Sequence, residues 1–262
     1  MAPTSAVGAG APTLRCGAWP TVRRYARAMS TVKLLLFDVF GTLVDWHGSI
    51  AREVRALLGA RGFDVDGAAF ATAWREQYQP AMEEVRSGRL PFCRLDVLHR
   101  RNLDVVLRAF GLDAVDEATR RQLNLAWHRL DAWPDVTPGL ARLRERFRIA
   151  PCSNGNISLM ADLARRHGWH WDAITGAELA RDYKPQPGVY LASVQAFDCD
   201  PGEAMMVAAH SSDLAAAAAA GLRTAFIARP DEHGPGVGER EAAVPVDPQA
   251  QGLLELAERL GA

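Results

Sequence analysis

Four polar stations break an otherwise apolar pattern along the chain: Asp38, the pair Ser153-Asn154, Lys184 and Asp213. A carboxylate in such company can act as a nucleophile, and a lysine beside it favours its ionised form. Asp38 ends the run Leu34-Leu35-Leu36-Phe37 and precedes Val39-Phe40-Gly41-Thr42. A short apolar run closed by a turn reads as a buried strand of a parallel sheet. An acid at its carboxyl end stands where open α/β sheets bind ligands. A structural reading of Asp38 stands beside the chemical one, because Asp also hydrogen-bonds its own turn or caps the next segment.

The elements that must carry these stations follow from periodicity. After the Asp38 turn, Ser49 opens a helical pattern through Ile50, Val54, Leu57 and Leu58, ended by Gly59 and Gly62. From Gly67 to Ala132 the pattern is helical throughout, with Phe70, Trp74, Tyr78 and Met82 at i, i+4 spacing. So long a helical stretch between a first strand and the rest of a sheet predicts an inserted lobe, since strand-to-helix loops are normally short. The alternation then resumes as helix Leu140 to Arg146, strand Phe147 to Cys152, helix Ile157 to His167 and strand Asp172 to Thr175. A helix through Val189, Tyr190 and Val194, strand Ala204 to Ala209, helix Asp213 to Ala220 and strand Leu222 to Ala228 come next. A Pro- and Gly-rich loop, Asp231 to Pro248, precedes a last helix, Leu253 to Leu260. The prediction is an α/β fold, a doubly wound Rossmann-like parallel sheet with an inserted helical cap. Its parts are a core of residues 33–48 and 134–262, a cap of residues 49–133, and a leader of residues 1–32.

Composition narrows the function classes. Thirty Lys and Arg against thirty-one Asp and Glu leave a formal net charge of −1, so no global field recruits nucleic acid or an anionic membrane. Cys16, Cys93, Cys152 and Cys199 form no CxxC pair, which argues against a zinc site or a disulfide framework and for reduced, cytoplasmic thiols. No apolar run approaches the roughly 20 residues that span a bilayer. Residues 1–33 contain no acid and carry Arg15, Arg23, Arg24, Arg27 and Lys33. Two readings of this leader stand, a disordered or transit-like extension and a start of translation at Met29.

Phe37-Asp38-Val39-Phe40-Gly41-Thr42, Trp74-Arg75, Ser153-Asn154-Gly155, Tyr183-Lys184-Pro185 with Tyr190, and Asp213 together resemble the haloacid dehalogenase superfamily, and within it the type II L-2-haloacid dehalogenases. The resemblance implies a hydrolase that opens a short (S)-2-haloalkanoate through an ester on Asp38. Lys184 would keep Asp38 ionised, Thr42 would support its carboxylate, and Asp213 would order Lys184 or the hydrolytic water. Ser153 and Asn154 would hold the substrate carboxylate and neighbouring backbone, although both also suit the cap of the following helix. Arg75 would meet the halide or carboxylate from the cap, and Phe40, Trp74 and Tyr190 would wall the alkyl group. A possible homodimer and a small 2-halo acid as partner follow from the same resemblance.

Phe40 separates the branches of the superfamily. Its phosphatases resemble one another in carrying a second Asp at that place, as acid for the leaving alcohol and base for the water. A phenyl ring moves no proton, whereas a halide leaves without one. The segment His210-Ser211-Ser212-Asp213 offers one carboxylate where magnesium phosphatases usually place neighbouring acids, so no metal and no cofactor are expected. The alternatives are a magnesium-dependent phosphatase of the same fold and a binding protein that retains the fold without turnover. Ala208-Ala209-His210 departs from the Ser and Asn frequent in the family, and His210 reads either as a substitute base or as a passive histidine. His47, His99 and His128 read as ordinary loop or helix residues.

Overall fold

The computed structural model describes residues 32–262; apart from Val32, the proposed leader lies outside the described residues. The first strand, β1 (Leu34–Phe37), shows why the chain folds as it does. Its four side chains are all buried, and successive side chains of a strand point to opposite faces. Leu34 and Leu36 join one apolar cluster, while Leu35 and Phe37 join another on the opposite side. A strand apolar on both faces must lie between two covering layers.

The chain continues through β2 (Val44–Asp45) into α1 (Trp46–Gly59), α2 (Gly67–Glu76), α3 (Tyr78–Arg86), α4 (Leu95–Ala109) and α5 (Glu117–Asn124). It returns through a 3₁₀ turn, Leu125–Arg129, to β3 (Asp131–Ala132). β2 and β3 pair antiparallel, Val44 with Ala132 and Asp45 with Asp131, and tie the two ends of the helical insertion together. The helical expectation therefore ends too late, at Ala132, because two residues are too few to show a strand period. The first helix also begins at Trp46 rather than Ser49, since the Asp45 side chain accepts from the Gly48 N–H and caps it there.

The core resumes with α6 (Val136–Arg144), β4 (Arg148–Ser153), α7 (Ile157–His167), β5 (Thr175–Gly176), α8 (Ala177–Ala180) and α9 (Pro187–Gln195). After these come β6 (Ala204–Ala208), α10 (Ser211–Ala219), β7 (Arg223–Ile227), β8 (Gln249–Ala250) and α11 (Leu253–Leu260). Six strands form one parallel sheet in the order β5-β4-β1-β6-β7-β8. Helix α6 starts earlier than its apolar period suggests, because Pro138 is tolerated in a first turn. The fifth strand comes later than Asp172 to Thr175: the Asp172 carboxylate itself accepts from Ile149 N–H at 2.7 Å, where a neighbouring strand's carbonyl would otherwise serve. Strand β8 was hidden at the end of the Pro- and Gly-rich loop.

Among the described residues no helix is long and apolar enough to cross a membrane. One polar cluster staples the insertion to the core. His128 places Nδ1 2.7 Å from Asp162 on α7 and Nε2 3.1 Å from Asp96 at the start of α4. Burial alone would lower its pKa, but the two carboxylates raise it above the ordinary 6.5. A raised folded pKa gives stability that is complete below about 6.5 and is lost as pH rises through the folded value. Thermal unfolding of His128→Gln should therefore fall below that of the parent chain at about pH 5.5, with the gap narrowing by about pH 9. A gap independent of pH would refute the charged bridge.

Candidate active site

β1 lies between β4 and β6, where the order of connections reverses, so a crevice opens beyond its carboxyl end. Asp38 is the first residue beyond β1, its N–H donating to the Val207 carbonyl of β6 at 3.0 Å. The chain then turns sharply, with Leu43 N–H donating back to the Val39 carbonyl and Gly41 at φ +85°. Thr42 is brought back onto Asp38 by that turn. Its Oγ1 donates to Asp38 Oδ2 at 2.7 Å and accepts from Ala209 N–H at 2.9 Å.

Lys184 Nζ lies 2.8 Å from Asp38 Oδ1 and 2.5 Å from Asp213 Oδ2. Asp213 occupies the first turn of α10, and its Oδ1 accepts from the Tyr190 hydroxyl at 2.5 Å. Burial opposes both charges, raising the Asp38 carboxyl and lowering the Lys184 ammonium. At Asp38 this is overcome by the charge of Lys184 and then by His210, and at Lys184 by the charge of Asp213 and then of Asp38. Asp38 thus sits well below the usual carboxylate range, and Lys184 well above its own.

A cavity of about 400 Å³ opens over this pair, lined among others by Asp38, Phe40, Arg75, Tyr78, Asn154 and Tyr190. Two residues expected there are placed elsewhere. Trp74 is packed behind the wall, donating from Nε1 to the His99 carbonyl at 3.0 Å, with its ring 5.4 Å from that of Trp127. Successive helical residues point about 100° apart. Since Arg75 faces the cavity, Trp74 turns into the cap. Ser153 is fully buried, and its Oγ accepts from Gly155 N–H at 3.0 Å, so it holds the turn and leaves the cavity to Asn154. Asn154 spends its Oδ1 on Lys184 N–H at 2.8 Å.

The Arg75 guanidinium carbon lies 4.0 Å from the centre of the Tyr78 ring, 5.2 Å from that of Trp46 and 5.9 Å from that of Phe40. Aromatic faces stabilise a cation, yet Nη1 is buried with no hydrogen-bond partner in the protein. A permanently charged donor left without a partner suits an anion in the cavity. Phe40 supplies an apolar face, in edge contact with Tyr78 and Trp127.

His210 is a quarter exposed, and both of its ring nitrogens face carboxylates. Its Nδ1 lies 3.2 Å from Asp38 Oδ2, and its Nε2 lies 2.8 Å from Oε2 of Glu232. Burial would lower its pKa, but the contacts to Asp38 and Glu232 raise it to about 10. Glu232, 2% exposed, also accepts from Trp46 Nε1 at 3.0 Å. The glycine at position 41 admits that carboxylate, because a Cβ there would stand 2.2 Å from its Oε1. Glu232 escaped the sequence reading, as did Tyr78 and Arg86 as cavity residues. A glutamate in an irregular loop carries no periodic signal, and the unusual His210 was the one hint that a partner existed.

Fold and site together define a capped, doubly wound α/β protein whose charged groups converge at the carboxyl edge of the sheet. The family model for haloacid dehalogenase-like hydrolases matches residues 32–221, and the chain belongs to that family. It is similar to the crystal structure of a defluorinating L-2-haloacid dehalogenase, with 45% identity and a TM-score of 0.86 over 88% of this chain and 96% of that one. A second L-2-haloacid dehalogenase structure is 44% identical, with a TM-score of 0.84 over 88% of this chain and 99% of its own. (S)-2-haloacid dehalogenase 1 of Pseudomonas sp. strain CBS-3 is 28% identical over 207 residues, 77% of this chain and 86% of that protein.

Proposed function

We propose that the chain is a hydrolytic dehalogenase that converts a short (S)-2-haloalkanoate to the (R)-2-hydroxyalkanoate through an ester on Asp38. One observation carries this reading. The ionised Asp38, held by Lys184 and Thr42, opens on a small cavity whose wall at the second residue beyond it is a phenyl ring with no proton to give. The names of the three similar dehalogenases given above support the 2-halo acid as substrate.

In the first step a carboxylate oxygen of Asp38 attacks C2. The new O–C bond forms as the carbon–halogen bond breaks, and the halide leaves with the electron pair towards Arg75. Asp38, now an ester, has lost its charge, so one of the two anions holding His210 protonated is gone. Its proton passes to solvent, and Glu232 keeps the remaining N–H on Nε2. The free Nδ1 then takes a proton from the water that attacks the Asp38 carbonyl carbon. Backbone N–H groups of Val39 and Phe40 stabilise the oxyanion. Collapse breaks the bond between the Asp38 carbonyl carbon and the ester oxygen. The proton still on the attacking oxygen passes to the leaving alkoxide to give the 2-hydroxy acid, and Asp38 is left as a carboxylate that carries one water oxygen beside the His210 imidazolium. In this reading residues 49–133 act as the cap over the core site.

No metal takes part in the proposed reaction. Asp213 is already committed at both oxygens, to Lys184 and Tyr190, and a hard divalent ion needs several free oxygens. The test is a single turnover of 2-chloropropionate in ¹⁸O-labelled water, with and without EDTA, followed by mass spectrometry of the Asp38 peptide. Label in Asp38 and halide release unaffected by EDTA are expected. Halide release with no label in Asp38 would refute the ester, and magnesium-dependent release of phosphate from a model ester would favour a phosphatase. Fluoroacetate belongs in the same assay, given the defluorinating neighbour.

A further inference from the structure

We propose that Arg86, at the end of α3 in the insertion, is a positioning residue for Lys184. The cap thereby completes the catalytic ion pair as well as covering it. The side chain is only 10% exposed, and all three of its nitrogens are engaged. Nη1 donates to the Lys184 carbonyl at 2.9 Å, Nε to Glu83 at 2.8 Å, and Nη2 to the Gln79 side-chain oxygen at 3.3 Å. On the other side of the same residue, Lys184 N–H donates to Asn154. The two peptide groups that flank the Lys184 Cα are therefore pinned from opposite directions, one by the core and one by the cap.

A second contact joins the same two segments. The Tyr183 hydroxyl donates to the Cys93 carbonyl at 2.7 Å, and the Tyr183 and Phe92 rings lie 5.5 Å apart. The segment that follows α3 is thus seated on the loop that carries Lys184. The ammonium has to reach Asp38 and Asp213 together, at the end of a flexible four-carbon stem. A root held on one side only would let Nζ wander between them, and misplacement by about 1 Å can cost about 10²-fold in rate. Arg86 borders the cavity, but its three nitrogens are spent on the Lys184 carbonyl, Glu83 and Gln79, so its contribution belongs to placement and not to substrate contact.

The catalytic consequence rests on the dehalogenase reading above, and the test separates the two. Arg86→Met and Arg86→Lys are compared with the parent chain by steady-state halide release from 2-chloropropionate and by hydrogen exchange of the peptides covering residues 181–186. In Arg86→Met, kcat should fall about 10- to 100-fold with KM within about 3-fold, and exchange across 181–186 should accelerate. Arg86→Lys, which retains one donor, should recover part of both. A raised KM at constant kcat would overturn the proposal by making Arg86 a substrate ligand, and unchanged exchange would overturn it whatever the kinetics. A parent chain that releases no halide, with faster exchange in Arg86→Met, would sink the dehalogenase reading and leave the positioning role standing.

Discussion

Asp38→Asn should abolish halide release, by about 10⁴- to 10⁶-fold, the range expected when a nucleophile is lost. Asn has the shape of Asp and can still accept from Thr42, so the turn after β1 has no reason to move. Its amide is a poor nucleophile and carries no charge. Lys184 retains Asp213 as its counter-ion, which avoids the cost of a buried charge with no partner. The loss is thus expected without unfolding, and circular dichroism with a thermal melt checks that half of the claim. Activity above about one hundredth of the parent's would mean that Asp38 is not the attacking group. Removal of the anion should also loosen the proton on His210, because one of the two contacts that raise its pKa to about 10 disappears.

His210→Asn is expected to separate the two half-reactions. Alkylation of Asp38 needs no base, so one equivalent of halide per chain should appear in a burst. Ester hydrolysis then lacks its proton acceptor, and kcat should fall about 10²- to 10⁴-fold, the usual worth of general base catalysis. Mass spectrometry of the stalled enzyme should show one carboxyalkyl group on the peptide that contains Asp38. Loss of the burst together with the steady rate would place His210 in the first step instead. A steady rate equal to the parent's would make the contact of His210 with Asp38 purely structural.

Both predictions depend on residues of unequal visibility in the sequence. Asp38, Lys184, Asp213 and Tyr190 were legible because each stands next to an element with a clear apolar rhythm and in the order typical of the family it resembles. The sheet was legible for the same reason, and helices α7 and α11 match their predicted limits without adjustment. Short elements were not. β2, β3 and β8 have two residues each, and a two-residue ribbon exists only because another part of the chain lies beside it.

By itself, then, the sequence determined the alternation of strands and helices, the site of the insertion, and the place of the lone carboxylate beyond the first strand with a phenylalanine two residues on. Those are local properties, written in side-chain period and turn chemistry. Tertiary structure alone decided which side of each motif faces the cavity: Arg75 and not Trp74, Asn154 and not Ser153. It also brought Glu232 under Gly41 to hold His210, and Arg86 across the cleft to hold Lys184. Such partners come from segments far apart in the chain that meet at the sheet's carboxyl edge. Their pairing follows from packing in three dimensions, which no local spacing records.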